Sequence, residues 1–224
     1  GRLKNLKKLR DQKKSYIPRS GTANMKLASE TKSGELVIDA NNLNKSFAEK
    51  CVVSDFSIKI KRGDRIGIVG PNGIGKTTLL KILLGEAQPD CGTIKLGTNL
   101  IIAKFDQMRE QLNLENSLLQ NLIDDPDVKS AGGAGQIIVR GKSKHVAGYL
   151  KEFLFSEFQF RSPVKSLSGG EKARLLLAKI MAKESNLLIL DEPTNDLDLE
   201  TLDLLQEVIA DYPGTVLLVS HDRD

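Results

Sequence analysis

The chain has 224 residues, 40% hydrophobic and 28% charged, with a formal net charge of +4. That length and balance suit a soluble globular protein with one sizeable, well-buried core. No apolar run approaches the roughly 20 residues of a membrane-spanning helix, no apolar core follows the basic N-terminus as in a signal peptide, and two cysteines, Cys51 and Cys91, exclude a disulfide scaffold. They also lack metal-like spacing, so buried or free thiols in a reducing, cytoplasmic compartment are expected. The chain opens with Gly1 rather than Met and stops three residues after His221, which leads us to expect a piece of a longer protein.

Residues 1–20 carry eight cations, Arg2, Lys4, Lys7, Lys8, Arg10, Lys13, Lys14 and Arg19, against Asp11 alone. Leu3, Leu6 and Leu9 fall at three-residue spacing, which predicts a helix over about 1–14 with one apolar stripe. A cationic helix suits a phosphate backbone, although a solvated face accounts for such a run as well. No aromatic residue lies in it, so base stacking is not indicated. Pro18, Gly21 and Ser33-Gly34 mark a linker. Leu36-Val37-Ile38 reads as a strand, and Phe56, Ile58 and Ile60 alternate with polar residues as in a half-buried one. Ile66-Gly67-Ile68-Val69 reads as a buried strand, with a helix over Lys76–Leu84. Residues 105–165 read mainly as helices and loops. Apolar residues recur at helical spacing from Gly170 to Lys183. Leu187–Leu190 and Val216–Val219 are continuous apolar runs of the kind found in parallel strands covered on both faces. Strands alternating with helices predict an α/β sheet.

Gly70-Pro71-Asn72-Gly73-Ile74-Gly75-Lys76-Thr77 is a complete G-x-x-x-x-G-K-[ST] phosphate loop between a strand and a helix. Its glycines let the backbone take conformations that a side chain blocks. Successive N–H groups can then face a polyphosphate at the positive end of the next helix. Lys76 would reach the β- and γ-phosphates and Thr77 would hold Mg²⁺. Asp191 ends an apolar strand, and a hard carboxylate oxygen there suits Mg²⁺. Glu192 projects differently and can polarise an attacking water. A solvated acidic turn before Pro193 is the plainer alternative.

Leu167-Ser168-Gly169-Gly170-Glu171 stands between these two motifs, and His221 follows the last apolar run. In that order the motifs resemble the nucleotide-binding domain of the ATP-binding-cassette (ABC) superfamily, over nearly all of the chain after about Leu36. The resemblance implies an α/β, ABC-type P-loop NTPase domain: a mixed sheet core with an inserted helical subdomain at about 105–183. The domain would span 35–224, preceded by the end of a basic helical linker at 1–34. ATP and Mg²⁺ are the implied cofactors. Phe47 fits the aromatic that stacks on adenine, with a core Phe as the alternative. Gly70, Asn72, Gly73, Gly75, Lys76, Thr77 and Thr78 fit the phosphate-binding set. Gln107 fits the glutamine that completes Mg²⁺ and water coordination, with Thr77 and Asp191 as the other metal ligands. His221 matches the switch histidine that contacts the γ-phosphate, and Glu192 and Gln107 join it as catalytic residues. His145 reads as a surface residue. The signature Leu167–Glu171 would act on an opposite cassette, with Asn195-Asp196-Leu197-Asp198 at that interface. A second cassette is therefore implied.

Two branches of the superfamily are open: energising subunits of membrane transporters, and ABC-F proteins, with two cassettes in one chain acting on ribosomes or nucleic acid. The run Asp191–Asp198 looks like the ABC-F version, and the basic stretch at 1–34 looks like the end of its linker. Gly141-Lys142-Ser143-Lys144-His145-Val146, Gly148–Phe155 and Gly21-Thr22-Ala23-Asn24-Met25-Lys26 resemble the second cassette of the Uup group. Ile74 replaces a usual small residue. The resemblance implies a Mg²⁺-dependent ATPase whose partners are a second cassette and either the ribosome and its rRNA or branched DNA, with no membrane span.

Overall fold

Apolar residues on both faces of two short strands dictate a buried parallel sheet, and that sheet organises everything else. The computed structural model describes residues 34–48, 50–105, 112–133, 135–193 and 197–221, all within the unit Lys32–Asp224. Residues 1–33 of the basic helix and linker expected over 1–34, Gln107 and Asn195-Asp196 lie outside the described residues.

In chain order the strands and helices are β1 (Leu36–Phe47), β2 (Lys50–Lys61), β3 (Arg65–Val69), α1 (Lys76–Leu83), β4 (Cys91–Leu96) and β5 (Ile102–Phe105). Then come α2 (Leu118–Ile123), β6 (Gln136–Val139), β7 (Lys142–His145), α3 (Val146–Glu152), α4 (Gly169–Ala182), β8 (Leu187–Asp191), α5 (Leu199–Asp211) and β9 (Thr215–Ser220). One sheet is antiparallel with order β2-β1-β4, and the other is parallel with order β3-β9-β8-β5.

The parallel sheet divides two cores. Leu187, Ile189, Leu217 and Val219 pack with Leu80, Ile82 and Leu83 of α1 and with Val37, Ile38 and Ile60 of the antiparallel sheet. Leu188, Leu190 and Val216 pack on the other side with Leu175, Leu176, Leu204 and Leu205 of α4 and α5. Both faces of β8 and β9 are thus covered, and their side chains need not alternate in polarity.

The strand β3 departs from expectation. Ile66 and Ile68 are half-buried, whereas Gly67 and Val69 are exposed. It lies at an end of the sheet order, beside β9 alone, and only one of its faces meets a core. The 105–165 stretch also differs, because it contains a two-stranded hairpin, β6–β7. Arg140 and Gly141 join the strands with φ of 50° and 75°. Paired positive φ values are what a two-residue turn needs to match strand twist. The helices here are short: α2 is capped by Ser117, whose hydroxyl accepts from the Gln120 N–H. Their apolar faces, with Leu118, Leu122 and Leu150, share a core with α4. Among the described residues no helix is long and apolar enough to cross a membrane. Cys51 and Cys91 are free and exposed.

Leu175 in α4 is fully buried in the core beneath β8. Leu175→Ala should lower unfolding free energy by about 2–5 kcal/mol, read from the urea midpoint at unchanged slope.

Candidate functional site

Ligands of open α/β sheets bind beyond the carboxyl ends of the strands, and three strand ends here are tied together. The Gly70 N–H, just after β3, donates to the Ser220 carbonyl at 3.3 Å, and the Glu192 N–H, just after β8, donates to the Val219 carbonyl at 2.9 Å. The end of β9 therefore carries both the start of the phosphate loop and the start of the acidic loop. Gly73 and Gly75 have φ of 76° and 112°, a region that non-glycine residues rarely adopt. A Cβ at Gly75 would also meet Val52 Cγ1 at 2.1 Å, so the loop backbone lies directly against β2. Gly75 caps α1 without a side-chain hydrogen bond.

Lys76 is 8% exposed. A buried ammonium needs acceptors, and the Lys76 Nζ has them: it donates to the carbonyls of Gly70 (2.6 Å) and Pro71 (3.3 Å) and to Asn72 Oδ1 (3.4 Å). It also pairs with Glu192 Oε1 at 3.1 Å. Glu192 adopts φ 49°, in the left-handed region, at the point where the chain leaves β8 and the carboxylate meets Lys76. Its other oxygen lies 2.5 Å from His221 Nδ1. Burial pushes the Glu192 carboxyl up, but the hydrogen bonds from His221 and Lys76 prevail and hold it below its ordinary 4.5. The carboxylate is thus an acceptor, and Nδ1–H of His221 is the donor. Lys76, Glu192 and His221 form one connected chain.

Thr77 is exposed and Thr78 half-buried in the first turn of α1. Asp191 closes β8 in register with Val219. A polyphosphate fits this donor set, because its oxygens are the acceptors that Lys76 now finds within the protein. A hydroxyl and a carboxylate, both hard oxygen donors, suit Mg²⁺. Phe47 ends β1, 55% exposed, and pairs across the turn with Lys50. The Lys50 ammonium donates to the Gly73 carbonyl at 3.3 Å, which sets the β1–β2 turn beside the phosphate loop. Sequence reasoning missed Lys50, since no local pattern links it to Gly73. His145 is exposed, as expected, and its Nδ1 caps α3 by accepting from the Ala147 N–H at 3.2 Å.

The signature is not part of this cluster. Leu167 is buried. Ser168 caps α4: its hydroxyl accepts from the Glu171 N–H at 3.2 Å, while the Ser168 N–H donates to Glu171 Oε2 at 2.8 Å. The hydrogen bonds from the Ser168 backbone, and then those of its side chain and of Gln159, outweigh burial and hold the Glu171 carboxyl below its usual range. Gly169 and Gly170 open the helix. A Cβ on Gly170 would lie 2.9 Å from Asp198 Oδ2, so glycine permits close approach to Asp198, the cap of α5. Arg174, one turn further, lies over the Phe155 ring and 4.0 Å from Glu200. Among the described residues no hydrogen bond or ion pair joins Leu167–Glu171 to the phosphate loop.

A parallel sheet bearing this loop at one strand end, an Asp-Glu pair at a neighbouring strand end and a second, separate glycine-rich helix start defines a P-loop nucleotide-binding cassette. The family model described as ABC transporter matches residues 53–195, and the chain belongs to that family. Over its whole length it is 52% identical to the ATP-binding protein Uup of Caulobacter vibrioides, covering 36% of that protein. It is 35% identical to the energy-dependent translational throttle protein EttA of Escherichia coli, over 93% of the chain and 36% of that protein. The chain thus spans about a third of the length of these relatives (36%). Among solved structures, cbiO1 of Clostridium perfringens, part of the transporter complex cbiONQ, aligns at TM-score 0.61 and 25% identity, covering 84% of this chain and 80% of that one.

Because both partners stabilise the ionised form, removing either should raise the Glu192 pKa. Carbon-13 NMR titration of the Glu192 carboxyl should show His221→Ala and Lys76→Met each titrating at higher pH than the parent, with the parent below 4.5.

Proposed function

We propose that this chain is a cassette of a Mg²⁺-dependent ATPase of the ABC-F, Uup-like type, hydrolysing ATP to ADP and phosphate. The observation that carries the reading is the Lys76–Glu192–His221 chain at the mouth of the phosphate loop. Phosphate oxygens replace the loop carbonyls and the Glu192 carboxylate as acceptors for Lys76. That exchange frees Glu192 to orient and polarise a water, while His221 keeps the carboxylate aimed. Thr77 and Asp191, with Gln107 as the further ligand, hold Mg²⁺, which neutralises charge on the phosphates when bound. Phe47 stacks on the adenine. Gly70, Asn72, Gly73, Gly75 and Thr78 complete the lining of the phosphate site.

The signature Leu167–Glu171 serves an opposite cassette packed head to tail, since it lies apart from the Lys76 cluster. ATP holds the two cassettes closed and hydrolysis releases them. That closure acts on a ribosome, contacting rRNA, or on branched DNA. Whole-length similarity to Uup at 52% identity favours this over the alternative, an energising subunit of a membrane transporter.

Glu192→Gln should lower turnover about 10²–10⁴-fold, the range for a lost general base, while ATP binding persists. Turnover at the parental rate would remove Glu192 from the chemistry. In the full-length protein, that variant loaded with ATP should co-sediment with ribosomes or with branched DNA, and retention on neither would overturn the proposed target. Lys76→Ala should weaken nucleotide binding, measured by calorimetry, and unchanged affinity would take Lys76 out of the site.

A further inference from the structure

The end of β1 is irregular. Its pairing with β2 shifts register between Leu43 and Lys45 and again between Lys45 and Ser46, and its pairing with β4 shifts between Asn41 and Asn44. A broken ladder positions a side chain poorly, yet the exposed Phe47 ring sits immediately beyond these shifts. Asp90, in the turn before β4, supplies the missing restraint. Its N–H donates to the Asn44 carbonyl at 2.8 Å, and its Oδ2 accepts from the Ser46 N–H at 2.7 Å. Its Oδ1 holds the Lys45 ammonium at 2.7 Å. That same ammonium lies 5.5 Å from the centroid of the Phe47 ring. The Lys45 side chain is only 19% exposed although charged, so it is packed in place. On the far side of the turn Lys50 is anchored to the Gly73 carbonyl.

We propose that Lys45 and Asp90 are positioning residues for nucleobase stacking: Asp90 pins the end of β1 and holds the Lys45 ammonium over one face of Phe47, leaving the other face to the purine. The proposal rests on the assignment of Phe47 to the base. The physical gain is preorganisation. A ring already held by a cation–π contact loses less freedom when a ligand stacks on it. Lys45 and Asp90 touch neither phosphate nor the attacked atom, so they affect base affinity and leave the chemical step alone.

The test uses the full-length protein, with the other cassette silenced at its phosphate-loop lysine. Calorimetry compares ATP with inorganic triphosphate, each with Mg²⁺, for the parent, Lys45→Met, Asp90→Asn and Phe47→Ala. Lys45→Met and Asp90→Asn should each weaken ATP about three- to tenfold, the range of a cation–π contact of intermediate exposure. Triphosphate affinity should stay at the parental value, which also shows an intact phosphate loop. KM for ATP should rise at unchanged kcat, and Lys45→Arg should restore most of the ATP affinity. Parental ATP affinity in both Lys45→Met and Asp90→Asn, beside a loss in Phe47→Ala, would overturn the relay and keep Phe47 at the base. Parental affinity in Phe47→Ala would overturn the assignment of Phe47 and the proposal with it. An equal loss of ATP and triphosphate would show a general charge effect and reject the relay.

Discussion

A buried ammonium must be matched by oxygen acceptors, and the site is arranged around how Lys76 meets that demand. Its acceptors come from places distant in sequence: the turn after β3 gives two carbonyls and an amide oxygen, and the turn after β8 gives a carboxylate. They converge because β9 lies between those strands and its last carbonyls hold both turns. Sheet order, rather than any single motif, makes one site of two sequence segments 116 residues apart, Lys76 to Glu192.

The position of Glu192 follows from its backbone. Residues held in the left-handed region cost about 1–3 kcal/mol and persist where the surroundings over-determine them. At Glu192 the surroundings do so: its N–H is fixed by Val219 and its two oxygens by Lys76 and His221. The same ties hold the carboxylate ionised and occupied. On the proposed reading, such a group acts as a base only once Lys76 finds other acceptors, and phosphate oxygens are the natural ones. Coupling between nucleotide occupancy and availability of the base would then lie in one ion pair.

What was legible in the sequence was local. The glycines, lysine and threonine of 70–77, the Asp191-Glu192 pair and Leu167–Glu171 are each written within a few residues, so they stand out as candidates. Apolar runs gave β8 and β9 for the same reason. The inner character expected of β3 failed because burial depends on what covers a strand, and its outer face meets no core. The β6–β7 hairpin was missed because its turn, Arg140-Gly141, is not one of the common hairpin dipeptides. Lys50 on Gly73 and Lys45 with Asp90 on Phe47 were beyond reach, since register and turn packing bring those pairs together over 23 and 45 residues. The cysteines, read as buried or free, proved free and exposed, Cys51 second in β2 and Cys91 first in β4.

The two glycine-rich helix starts explain why one cassette is a half-site on the proposed reading. At α1 the cap is Gly75, with no side-chain bond to the first turn, so the orphan N–H groups of that turn stay available to a ligand beside Lys76. At α4 the cap is Ser168 and the capping box with Glu171 is closed. The Ser168 oxygen is taken by the Glu171 N–H, but the hydroxyl proton and the N–H groups of Gly169 and Gly170 are not used by the box. The first start therefore draws charge inward to its own lysine. The second holds its shape through its own capping box and has donors left over. On the proposed reading, these leftover donors are what a head-to-tail pair of cassettes would bring to the phosphate of the opposite site.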